Sequence, residues 1–167
     1  MTSTTVDVLL LALVAVAALG AMALGWRRRA DRWSTLVADL AEAPTTMAGV
    51  LGPVEATYVA TTPDDDRWQR IPAARLGVRA PAQVSVTDTG VLVRRDGGAD
   101  LYLPGERLLD AAPADGIAGT AVGRGRLAVV RWRAGDRILA TGLLPRHERD
   151  RAALIEAVNL LARRRKS

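Results

Sequence analysis

The chain contains no cysteine and no phenylalanine, and His147 is its one histidine. Without thiols there is no disulfide framework, no thiolate metal site and no cysteine nucleophile, a composition that suits a reducing compartment. A lone histidine cannot complete a His-based metal shell. Asp64, Asp65 and Asp66 are consecutive, without the alternate spacing and central glycine of a calcium loop, and read as a solvated turn. The glycines between Gly119 and Gly125 are not followed by Lys-Ser, Lys-Thr or a helical pattern, so this stretch reads as an inter-strand loop and not as a phosphate loop. His147 stands in Pro145-Arg146-His147-Glu148 at an expected helix start, and a general base there lacks both an orienting partner and a nucleophile. The expectation is a protein without cofactor, metal or enzymatic activity.

Charge is missing from the first part of the chain. Residues 8–26, VLLLALVAVAALGAMALGW, carry no charge and no proline, and as a helix they extend roughly 28 Å at ~1.5 Å per residue, about one bilayer core. Arg27, Arg28 and Arg29 follow at once, whereas Asp7 is the only charged side chain before the run. A cleaved signal peptide has the opposite charge order. The positive-inside bias then predicts a single transmembrane span with the N-terminus outside and the C-terminal domain cytoplasmic, at the cell membrane. Ala17, Gly20, Ala21 and Ala23 would let a second helix approach closely, which leaves homo-oligomerisation open.

The formal net charge of +5 is unevenly spread. Residues 27–32 hold Arg27, Arg28, Arg29 and Arg32 against Asp31, and the C-terminus holds Arg163, Arg164, Arg165 and Lys166. Residues 43–162 contain fifteen arginines against fourteen carboxylates. A near-neutral domain lacks the clustered cations of a nucleic-acid footprint, so no nucleic-acid partner is expected. The two basic clusters are the candidate contacts to the anionic inner leaflet of the membrane. Arg94, Arg95, Arg124 and Arg126 are weaker candidates for a phosphate group within the domain itself.

Helical spacing continues through residues 27–43, where Trp33, Leu36, Val37 and Leu40 share one side, and predicts a juxtamembrane amphipathic helix. Pro44 and the small residues up to Pro53 predict a linker over 44–53. From residue 54 the period becomes two. Strands are expected over 55–61, as a meander from Ala82 to Leu109, over 107–111, and as a hairpin of 127–133 with 136–144 about Ala134-Gly135. Leu154, Ile155, Val158 and Leu161 then recur at helical spacing and predict a C-terminal helix over 148–164. Trp132, Val130 and Ala128 share one face of their strand while Leu127 and Val129 make the other face apolar as well, so cover is expected on both sides, from the opposite sheet and the terminal helix.

About seven antiparallel strands closed by one helix resemble the pleckstrin-homology (PH)-like superfold, a barrel or sandwich here expected in an α+β chain with a membrane anchor. More narrowly, the chain resembles a family of small actinobacterial single-span membrane proteins with a cytoplasmic PH-like domain. The likeness is carried by residues 57–62 (TYVATT) with Trp68, residues 76–80 (LGVRA), the loop 116–123 (GIAGTAVG), residues 127–132 (LAVVRW), Thr141-Gly142 and Pro145-Arg146-His147. The resemblance implies a domain over 54–167 that binds a protein partner or anionic lipid. Members carry transporter or export labels and their genes tend to lie among pyrimidine-biosynthesis genes. A lone span forms no alternating-access carrier, so those labels imply at most an accessory subunit of a multi-span transporter.

Overall fold

The computed structural model describes residues 11–23, 25 and 40–165. The chain divides into two units, 1–35 and 36–167. In the first, residues 11–23 and Gly25 are helical (α1). Among the described residues no helix is long and apolar enough to cross a membrane. Residues 8–10, 24 and 26 of the expected span, and 27–39 of the expected amphipathic helix, lie outside the described residues. Residues 40–43, the end of the expected amphipathic helix, are irregular.

Among its described residues the second unit holds nine strands and a terminal helix. They are β1 (Gly49–Pro63), β2 (Ala80–Thr87), β3 (Gly90–Arg95), β4 (Leu101–Pro104), β5 (Leu108–Ala114), β6 (Gly116–Ile117), β7 (Thr120–Ala121), β8 (Leu127–Ala134), β9 (Arg137–Pro145) and α2 (Glu148–Arg164). Seven form one antiparallel sheet in the order β4-β3-β2-β1-β9-β8-β5. The fifteen-residue β1 joins its halves: Gly49–Tyr58 pair with β2, whereas Ala56–Pro63 pair with β9. This corrects the expected linker, since residues 49–53 are already strand. Register shifts between Gly49 and Leu51 and between Leu51 and Val54 accommodate Pro53, which a regular ladder would exclude.

α2 packs chiefly on β5, then on β8 and β1. Leu154, Val158, Leu161 and Ala162 are buried on its inner side and Ile155 is half-buried. β5 is an edge strand, and Asn159 completes it: its side chain accepts from Ala111 N–H and donates to Ala111 C=O, both at 2.9 Å. The helix thus covers an edge that would otherwise offer unpaired backbone groups.

The second face of β8 is covered differently from the expectation. Leu127 and Val129 pack with Ile117 and Ala118 of the small β6–β7 hairpin, and with Val59, Ala60 and Ala140. The glycine-rich stretch is therefore partly strand, folded over the sheet as a flap. Gly142 permits the fit, because a Cβ there would sit 2.6 Å from Ile117 Cγ2.

On the main core face, polar groups form one line through the interior. Trp132 Nε1–H donates to Thr141 Oγ1 (2.9 Å), Thr141 and Thr61 are 2.8 Å apart, Thr61 and Tyr58 2.7 Å, and Tyr58 O–H donates to Leu76 C=O at 2.7 Å. The ends fix the direction. Indole N–H only donates and a carbonyl only accepts, so Thr141 must donate to Thr61 and Thr61 to Tyr58. Four buried side chains are satisfied by a single ordered chain of protons. Burial pushes the Tyr58 phenol up to about 12, against the smaller opposing effects of its Thr61 hydrogen bond and the nearby Arg95 charge.

Candidate functional site: an arginine-lined groove

Consecutive strand residues point to opposite faces, and β3 separates the pair Arg94 and Arg95 accordingly. Arg94 is exposed, whereas Arg95 is 6% exposed. Its guanidinium donates to Ala99 C=O (2.7 and 3.1 Å), Arg75 C=O (3.2 Å) and Ala74 C=O (3.1 Å), and lies 4.9 Å from the Tyr58 ring centroid. The side chain clamps the β1–β2 connection to the β3–β4 turn through backbone carbonyls and the ring face. With its donors so committed, Arg95 is removed from the phosphate-contact set.

The remaining three candidates line two hollows that share Arg126 and Arg146. Arg94 and Arg126, with Arg146, line a groove of about 710 Å³ over the outer sheet face, where the row Glu55, Gln83, Arg94 crosses β1, β2 and β3. Arg126 and Arg146 also belong to a basin of about 320 Å³ at the start of α2, together with Arg124, His147, Glu148 and Arg151. Neither Arg124 nor Arg126 takes part in an ion pair among the described residues. The turn that carries them is pinned: Gly125 N–H donates to Asp115 Oδ1 (2.7 Å) and Arg126 N–H to Gly123 C=O (3.2 Å). His147 is exposed at the N-cap of α2.

The C-terminal cluster is divided. Arg163 lines a surface hollow beside Asp110, Arg131 and Asn159. Arg164 and Arg165 border an apolar groove of about 460 Å³ between α2 and the β1–β2 pair, whose walls include Val50, Val86, Leu160 and Leu161. Arg165 donates to Asp88 C=O at 3.1 Å, which ties the helix end to the β2–β3 turn. Lys166, Arg27, Arg28, Arg29 and Arg32 lie outside the described residues.

Sequence reasoning passed over Arg131. Its Nε donates to Asp110 Oδ1 (2.8 Å), a second nitrogen bonds Asp110 Oδ2, and Asp64 Oδ2 lies 3.2 Å away. The fork to Asp110 raises its already high pKa. Asp64 is thus an ion-pair partner and not part of a solvated turn, with Arg67 at 3.7 Å on its other oxygen. Only the spacing of Asp64, Asp110 and Arg131 in three dimensions reveals this, since they are far apart in sequence. Among the described residues no three His, Cys, Asp or Glu side chains are grouped to hold a metal ion.

No curated protein matches the chain. Residues 37–159, nearly the whole second unit, match the family described as Bacterial PH domain-like. That match agrees with an antiparallel sheet of seven strands joined by a long first strand and closed by one C-terminal helix. The chain belongs to the bacterial PH domain-like family.

Proposed function

We propose that the chain is a non-enzymatic interaction module, tethered to the cell membrane by one N-terminal span, whose PH-like domain holds a protein partner on the cytoplasmic side. The observation that carries the tether is that apolar side chains lie on every face of α1. At ~100° per residue Leu11, Leu13, Val14, Val16, Leu19 and Met22 surround the helix. Apolar side chains all round a helix call for lipid or other helices about them. The thirteen helical residues 11–23 cover roughly 20 Å, and the sequence stays apolar over 8–10 and 24–26. The order of charges, with Arg27, Arg28 and Arg29 after the run, supports an outside N-terminus.

The groove between α2 and the β1–β2 pair supports the partner. Val50 and Leu160 are exposed at 60% and 50%, over a floor that includes Val86 and Leu161, with Asp88, Glu156 and Arg164 at the rim. An apolar centre with a charged rim is the anatomy of a protein interface. Two measurements in native membranes test the reading. A reporter fused after Ser167 should behave as cytoplasmic. A photo-crosslinker at Val50 or Leu160 should capture the same protein, whereas one at Arg133, exposed on β8, should not. An external reporter overturns the orientation, and equal capture from all three positions overturns the groove.

A further inference from the structure

We infer that Trp68 of one copy of the chain docks into the apolar groove between α2 and the β1–β2 pair of a second copy. The inference rests on the reading of that groove as a protein site and names its occupant. Among the described residues Trp68 is the one exposed aromatic side chain, at 79%, whereas Tyr58, Tyr102 and Trp132 are buried. It stands in the connection between β1 and β2, and its surroundings hold it in place. Trp68 N–H donates to Asp66 Oδ1 (3.1 Å), Ala118 N–H donates to Arg67 C=O (2.8 Å), and the Arg70 guanidinium donates to Gly77 C=O (3.1 Å) and Thr120 Oγ1 (3.0 Å). The indole rests beside Gly119, where a Cβ would sit 3.5 Å from its Cε3. A fixed indole loses little freedom on binding, and tryptophan is among the residues that most often anchor protein interfaces.

The groove has the size and the charge to receive it. Its volume of about 460 Å³ falls within the ~300–1,000 Å³ of pockets that enclose drug-sized molecules, and Val50 and Leu160 form apolar walls already open to solvent. Beside Trp68 stand exposed Asp65, Asp66 and Arg67, and at the groove rim stand exposed Arg164, Arg165 and Glu156. Two carboxylates and one guanidinium on the knob thus meet two guanidinia and one carboxylate on the groove, an arrangement that sets orientation as well as attraction. Asp88, the other rim carboxylate, already accepts from Ala48 N–H at 3.0 Å. Within one chain β1 keeps knob and groove apart. Its Gly49 end pairs with Thr87 at the groove, while its Pro63 end, paired with Leu139, leads into the Trp68 connection. The contact is therefore made between copies, and it is heterologous: each copy gives its indole to one neighbour and its groove to another.

Two differently tagged full-length copies are expressed together in native membranes with a photo-crosslinker at Val50, and the products are mapped by mass spectrometry. A covalent pair of copies is expected, joined from position 50 to residues 64–70. Trp68→Ser in both copies should lower its yield on the order of tenfold or more. Mixing fixes the direction. A copy with Trp68→Ser keeps its groove and a copy with Leu160→Asp keeps its indole, so together they should restore the pair, with the crosslink running only from Val50 of the first to the second. Trp68 and Leu160 are both exposed, so neither change should move the melting temperature. Capture of a different protein and no second copy overturns self-docking while the groove remains a protein site, whereas capture of nothing overturns both. A pair of copies insensitive to Trp68→Ser overturns Trp68 as the anchor.

Discussion

The proton chain from Trp132 to Leu76 makes a quantitative demand on Thr61 and Thr141. Thr141→Val keeps the shape of the side chain but leaves the buried Trp132 N–H without an acceptor, at a cost of about 1–3 kcal/mol. Thr61→Val removes the acceptor of the Thr141 hydroxyl and orphans that buried donor, for a similar cost. In the double variant the Thr141 hydroxyl no longer exists, and the one orphaned donor is again Trp132 N–H. Tyr58 still donates to Leu76 C=O in all three variants. The double variant should therefore lose about as much as Thr141→Val alone, a coupling of roughly 1–3 kcal/mol in the double-mutant cycle. Urea unfolding followed by circular dichroism measures each term, with the slope of the transition checked for constancy. Additive losses would refute the directed chain, because two independent hydrogen bonds predict a double variant worse than either single one.

Other consequences follow from burial. Val158→Asp places a carboxylate on the fully buried side of α2 and should cost several kcal/mol, on the order of 3–5; an unchanged melting temperature would show that the helix does not cover the core. Tyr58, at about 12 when folded against the ordinary phenol value of 10, keeps its proton where the unfolded chain has lost it. Its contribution is complete below pH 10 and is lost as pH rises from 10 to 12, with a slope of at most about 1.4 kcal/mol per pH unit. Tyr58→Phe should remove that alkaline slope from a stability profile, and a slope that persists unchanged would assign it to other groups.

The sheet was legible where alternation is regular. Val84 and Val86, then Val91 and Val93, are buried members of paired strands, and Trp132, Val130 and Ala128 share a face as the period of two requires. The start of β1 was not, because proline and glycine read as punctuation, and only the register shifts show how Gly52 and Pro53 enter a strand. β6 and β7 have two residues each, too few to carry any period, so the flap that covers Leu127 and Val129 reads in sequence as a loop. Asn159 does not stand out in the sequence from other polar residues of a helix. Its role on the β5 edge depends on a partner forty-eight residues away, which no local pattern records.

Arg94 and Arg95 show how far such patterns reach toward a site. Both arginines carry the same charge, and composition alone places both among the phosphate candidates. The period of two already forbids it, since adjacent strand residues cannot face one groove. It does not say which of the two turns inward. That choice is set by register: β3 pairs Arg94 with Gln83 on the outer row and Arg95 with the buried Ala82, and the inward position is tolerable only because three backbone carbonyls and the Tyr58 ring converge there. A buried cation without a carboxylate would otherwise be costly, so Arg95→Met should preserve the volume while orphaning carbonyls of the two connections. Arg124 and Arg126 are not committed in this way. They stand two apart on a turn held by backbone amides, their side chains are not needed to hold it, and the charge they carry is left to face solvent beside Arg146 and Arg151.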